Sequence, residues 1–149
     1  MYILQHLLLS FLAAAAFGII FNAPKSSLIQ SGFVGMLGWM IYILFTMNGA
    51  DAVNATLIAS FVIAVASQVF AKLYRTPIII FIVAGIIPLV PGGMAYDAMR
   101  NFVENDYNIA LALAAKAFLI SGAIAMGIVF SEVINQLIRK TAITKKSES

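Results

Sequence analysis

Charge is missing from this sequence in runs about as long as a bilayer is thick. No Asp, Glu, Lys or Arg occurs from Ile3 to Phe21, from Leu28 to Met47, or from Ala55 to Ala71. A hydrocarbon core about 30 Å thick takes roughly 20 residues of apolar helix. The whole chain is 62% hydrophobic and 10% charged, with a mean hydropathy of +1.01, whereas an ordinary soluble domain is roughly 25% charged. Such a chain cannot cover a globular surface with polar groups. Its solvent is lipid, and the fold class is an all-α integral membrane bundle.

Five spans follow from the punctuation. The first, Ile3 to Phe21, closes on Asn22-Ala23-Pro24-Lys25. The second reaches Met47 and stops at Asn48-Gly49-Ala50-Asp51, and the third runs from about Ala55 to Leu73 and stops at Tyr74-Arg75-Thr76-Pro77. The fifth runs from about Ile109 to Phe130 and extends as helix towards Ile138. The fourth differs: Ile78 to Val90 is apolar but only about 13 residues, or roughly 20 Å of helix. It meets Pro88, Pro91, Gly92 and Gly93, and proline removes a rung of the helical ladder. The first span lacks the basic leader of a secretory signal and is longer than a signal core, so it reads as a retained helix.

Basic residues give the orientation. Lys25, Lys72, Arg75 and the tail residues Arg139, Lys140, Lys145 and Lys146 fall on one side of a five-span chain, with Arg100 on the other. The positive-inside rule then puts the N-terminus outside and the C-terminus in the cytoplasm. Residues 1–138 form the transmembrane domain and residues 139–149 a basic cytoplasmic tail. That tail accounts for much of the net charge of +3 as a topology signal, so a nucleic-acid partner is not expected.

Several chemistries are excluded or disfavoured. There is no cysteine and His6 is the sole histidine, so no metal centre built on Cys or His is expected. The chain has no nucleophile elbow or phosphate-cradling glycine loop. Asp51 and Asp97 sit at loop edges rather than inside spans. The expectation is therefore a non-enzyme without a cofactor.

The stretch from Ile87 to Asp97 carries the most functional information. Broken backbone at membrane depth is tolerated only when it is buried in protein or lines a wet cavity. Transporters use the exposed half-helix ends to hold carboxylates and cations. Pro91-Gly92-Gly93 could end one half-helix and Met94 to Val103 begin the next, presenting N–H groups near Gly93 to Tyr96 to a substrate carboxylate; the alternative is an ordinary kink or a loop at the membrane surface. Lys116, inside the fifth span, is costly there unless it has a partner or a function. It is expected either to face the break, attracting the carboxylate or pairing with Asp97, or to snorkel to the interface. Asp97 and Arg100 stand at i,i+3 and could pair in solvent or line the outer mouth. Glu132, near the inner end of the fifth span, could be a proton site or sit at the interface close to Arg139.

Three motifs, in order, resemble the threonine/serine exporter family. They are Phe21-Asn22-Ala23-Pro24, Gly35-Met36-Leu37-Gly38-Trp39, and Ile87-Pro88-Leu89-Val90-Pro91-Gly92-Gly93-Met94-Ala95-Tyr96. The resemblance runs from about Ile3 to Ile138 and is narrowest to the small subunit of split members, which matches the C-terminal half of fused ones. Asn22, Pro24, Pro88, Pro91, Gly92 and Tyr96 are the matching positions. The resemblance implies a multi-pass exporter subunit of the bacterial cytoplasmic membrane, working with a larger membrane partner of the same family. It implies threonine, serine or a related small carboxylate as substrate. Succinate or another dicarboxylate is the alternative cargo, and a non-transporting regulatory subunit the alternative role.

Overall fold

The computed structural model describes the backbone of residues 2–147 and the side chains of residues 3–140. Six helices follow one another: α1 (Tyr2–Ile20), α2 (Leu28–Met47), α3 (Ala52–Tyr74), α4 (Ile78–Ile86), α5 (Gly92–Val103) and α6 (Tyr107–Ser147). Short 3-10 turns at Lys25–Ser27 and Ile87–Leu89 precede α2 and follow α4. The chain is all-helical over the described residues, as its composition requires.

Four helices, α1, α2, α3 and α5, end in one way. Asn22 adopts φ 55°, Arg75 φ 52°, Asn105 φ 66° and Gly49 φ 84°. The amides that follow reach back to close the last turn: Ala23 to Gly18, Thr76 to Ala71, Asp106 to Asn101 and Ala50 to Phe45, at 2.9 to 3.1 Å. These are left-handed caps, which Asn and Gly adopt at low steric cost. Asn22 thus earns its place structurally, and Pro24 and Pro77 then prevent the helix from resuming in register. At the starts, the Asp51 carboxylate accepts from the Val53 amide at 3.0 Å, and Asp106 accepts from Ile109 at 3.4 Å. Both carboxylates sit where the helix dipole favours negative charge.

The bundle packs through small residues. A side chain on Gly35 would run into Ala14 of α1, and one on Gly38 into Ile63 of α3. One on Gly127 would meet Ser60 and come within 2.7 Å of the Leu57 carbonyl. Lipid supplies no hydrophobic drive for helix association, so this close backbone approach is what holds the bundle. The central core is Val34, Ala59, Ile63, Leu89, Ile120 and Ile124.

Contacts fix the helix directions. Ser60 donates to the Ala123 carbonyl, Gln68 to Ser131, and Lys72 to Asn135. Positions in α3 therefore pair with positions 63 later in α6, so these two helices run parallel. One end of the bundle carries Lys25, Lys72, Arg75, Arg139 and Lys140; the other carries Asp51, Glu104 and Asp106. We refer to them as the basic and acidic ends.

α1, α2, α3 and α6 are each long and apolar enough to cross a membrane, while α4 with its 3-10 turn and α5 form a pair bent by 50°. α4 leaves the basic end, and α6, parallel to α3, starts at the acidic end. The bent pair therefore runs along the bundle once, so four helices, or five spans if the bent pair counts as one, are long and apolar enough to cross a membrane. The protein is a multi-pass membrane protein.

Candidate functional site

The break lies about halfway through the bundle. Pro88 has no N–H, so the Ala84 carbonyl loses its helical donor. α4 accordingly ends at Ile86 and tightens into the Ile87–Leu89 turn, with Val90 bonding back to Ile87 at 3.2 Å. Pro91 then caps α5, whose first ladder bond runs from the Ala95 amide to the Pro91 carbonyl at 3.0 Å. The expected division placed Gly92 and Gly93 at the end of the first half-helix. They form the first turn of the second instead, because Pro91 is better suited to precede a helix than to continue one. The Gly92 amide bonds to the Val90 carbonyl at 2.8 Å, leaving those of Gly93 and Met94 without a carbonyl four residues back.

α5 has two faces. Gly92, Ala95, Ala98, Met99 and Phe102 turn towards α6. With Val90, Pro91, Ala110, Ala114, Ala117, Phe118 and Ser121 among others, they line an apolar cavity of about 700 Å³ that is open at the surface, with Met99, Phe102 and Phe118 all more than half exposed. Gly93, Tyr96, Asp97 and Arg100 recur at i, i+3, i+4 and i+7 on the other face, which is exposed. A side chain added at either Gly92 or Gly93 would meet nothing within 4 Å. These glycines therefore leave open space rather than permit packing within this chain.

The expected site residues divide accordingly. Pro91 and Gly92 line the cavity; Gly93, Tyr96 and Asp97 share the outward face, with Tyr96 69% exposed. Lys116 joins neither group. It is exposed, stands about 100° around α6 from the cavity-lining Ala117, and by the α3–α6 register lies level with Val53 in the first turn of α3. No ion pair links it to Asp97 among the described residues. Arg100 pairs with Glu104 at 3.0 Å rather than with Asp97, since i,i+4 spacing suits the long guanidinium arm on one helix face. Both partners of that pair are more than half exposed. Glu132 accepts from Gln136 at 3.0 Å and from Gln68 at 3.4 Å, so amide groups rather than Arg139 hold it. Pro88 and Pro24 act as breakers, in the fourth span and in the first loop.

The outward polar face of α5 is readable in the spacing of Gly93, Tyr96, Asp97 and Arg100. The cavity was not readable, because it depends on how α5 folds back along α6.

The sequence profile described as "Threonine/Serine exporter, ThrE" matches residues 6–134. The chain belongs to the threonine/serine exporter family. It is 28% identical over 127 residues to the threonine/serine exporter of Corynebacterium glutamicum, covering 85% of this chain and 26% of that protein. The chain thus spans about a quarter of the length of this curated relative. No solved structure matches it. The motifs around Asn22, Gly35 to Trp39 and the break all lie within the matched region.

Proposed function

We propose that this chain is one part of a secondary transporter that exports threonine, serine or a related small carboxylate across the bacterial cytoplasmic membrane. In this reading it works with a larger membrane protein of the same family, and the N-terminus lies outside with the basic end in the cytoplasm. The observation that carries the proposal is the outward face of α5. The amides of Gly93 and Met94, which have no backbone partner among the described residues, open α5 about halfway through the bundle, and Tyr96, Asp97 and Arg100 continue the face begun by Gly93 towards the acidic end. The lipid-suited surface of α1 instead presents Leu4, Leu8, Leu9, Leu12, Ile19 and Ile20.

A carboxylate seated at the start of α5 would accept from the free amides of Gly93 and Met94 and gain from the helix dipole. Asp97, one turn on, would sit beside a substrate ammonium, while Tyr96 would close over the small side chain. A dicarboxylate such as succinate would bring a second negative charge towards Asp97, which favours the amino acid. Pro91, Gly92 and Gly93 keep the approach free of side chains. In this reading the partner supplies the opposing wall, since this polar face has no cover among the described residues. Lys116, exposed in α6, belongs in this reading to the surface that the partner covers. Cargo release on the far side follows alternating access about the fixed break, driven by a proton or the membrane potential. No reaction is catalysed.

The test is efflux of threonine, serine and succinate from preloaded cells carrying this chain, its larger companion, or both. Saturable efflux of threonine or serine only with both chains is the expected result. With both proteins present in the membrane and none of the three solutes exported, the proposal fails.

A further inference from the structure

Most buried or half-buried hydroxyls in this bundle satisfy themselves. Ser10 donates to the His6 carbonyl, Thr46 to Tyr42, Thr56 to Ala52 and Ser60 to Leu57, at 2.7 to 3.0 Å. This is the local back-bonding open to any helical serine or threonine. Ser31 and Ser67 do otherwise. Both are completely buried, and neither hydroxyl has a hydrogen-bond partner among the described residues. The side-chain oxygen of the adjacent Gln30 is in the same condition. A buried hydroxyl left unpaired costs more than an ordinary hydrogen bond contributes, and the penalty is sharper where lipid surrounds the protein.

The α2–α3 register places the two serines on adjoining helices within about one turn of each other. Gly85 of α4 lies against Val34 of α2 and Ile63 of α3. α2 and α3 run antiparallel, since Gly38 sits at Ile63 while Phe33 rings against Phe70. One turn from that junction towards the basic end lies Phe81 on α4, Ser31 on α2 and Ser67 on α3. Phe81 is itself completely buried and touches Phe70 with ring centres 6.1 Å apart. Ser31 falls on the same side of α2 as Gly38, two turns away, and Ser67 on the same side of α3 as Ile63, one turn away.

We propose that Ser31 and Ser67 hold an internal water molecule that bridges α2 to α3 beside Phe81, with the Gln30 oxygen as a further acceptor in the same turn. The number of groups decides the ligand. A buried water makes about three hydrogen bonds to groups otherwise unsatisfied, and three unsatisfied oxygens lie here. A hard cation takes about six or more oxygens, and the carboxylate nearest this level, Glu132, is exposed on α6 and already accepts from Gln68 and Gln136. The water lets α2 and α3 share a polar contact that can be exchanged during movement without leaving a polar atom stranded, next to the half-helix that carries the break.

The experiment is X-ray radiolysis of the full chain in lipid nanodiscs, with hydroxylation of Phe81 read by mass spectrometry. A water held at the site is split in place and marks the ring that bulk water cannot reach. The expected result is modification of Phe81 in the parent chain and its loss in Ser31→Ala and in Ser67→Ala, each unfolding at a lower temperature than the parent. An unmodified Phe81 in the parent overturns the proposal, whether the serine variants are stabler, as stranded hydroxyls require, or less stable, as a direct serine–serine bond requires. Modification that persists in both variants also overturns it. The parent measurement stands even if a variant fails to fold.

Discussion

Replacing Gly127 with alanine tests the packing on which the bundle's topology rests. A Cβ at this position would meet the Ser60 hydroxyl and lie 2.7 Å from the Leu57 carbonyl and 2.9 Å from the Phe61 amide nitrogen. The last two are backbone atoms of a continuous helix, so they cannot rotate away. Relief requires α3 and α6 to separate by roughly half an ångström or more, and overpacking of this kind costs about 1–3 kcal/mol. The shift also threatens the Ser60 bond to the Ala123 carbonyl, already 3.4 Å, worth about 0.5–1.5 kcal/mol. Against this stands the helix preference of alanine over glycine, about 1 kcal/mol. The net expectation is a loss of about 1–3 kcal/mol. Gly122 provides the internal control: it lies in the same helix, and a Cβ there meets nothing within 4 Å. Gly122→Ala should be neutral or stabilising by up to about 1 kcal/mol. The assay is reversible unfolding of the purified chain in mixed micelles, followed by Trp39 fluorescence with titrated denaturing detergent. Equal stability of the two variants would refute the close α3–α6 approach and with it the parallel register.

Other expectations follow from the same structure. Asp51→Ala removes the carboxylate that accepts from the Val53 amide and should cost about 1 kcal/mol in the same unfolding assay. Asn22→Ala keeps the left-handed cap without the residue that tolerates it and should cost about 1 kcal/mol. Gly93→Leu has open space for its side chain, so the protein should reach the membrane in normal amount. Efflux by the two-part system should nevertheless fall by about tenfold or more, the equivalent of losing about 1.4 kcal/mol of substrate interaction. Lys116→Met should change the stability of the isolated chain by less than about 0.5 kcal/mol and lower efflux when the larger companion is present.

The spans were legible because the cost of burying charge in lipid leaves few other arrangements. The charge-free runs Ile3 to Phe21 and Leu28 to Met47 became α1 and α2 nearly residue for residue. The break was legible for an equally local reason: a missing N–H at Pro88 and Pro91 ends a ladder wherever it occurs. What escaped depends on contacts distant in sequence. Nothing near Lys116 reveals which way it points, because that is fixed by Gly127 seating on α3 three turns later. Arg100 has acidic residues at both i−3 and i+4, and the choice of Glu104 reflects side-chain reach rather than pattern. Ser31 and Ser67 look like ordinary small packing residues in the sequence. Their unpaired hydroxyls emerge only once α2, α3 and α4 meet at one level.

The most direct test of the central claim uses the absence of cysteine from the chain. A single Gly93→Cys places the only thiol in this chain at the start of α5, and Ser26→Cys places one at the exposed basic end as a control. The measurement is the rate of alkylation by a membrane-permeant maleimide in vesicles that also contain the larger companion, with and without threonine. Slower alkylation at position 93, unchanged at position 26, is the result this account predicts. Threonine, serine and succinate all leaving the rate at position 93 unchanged, in vesicles that export at least one of them, would place the substrate elsewhere and contradict it.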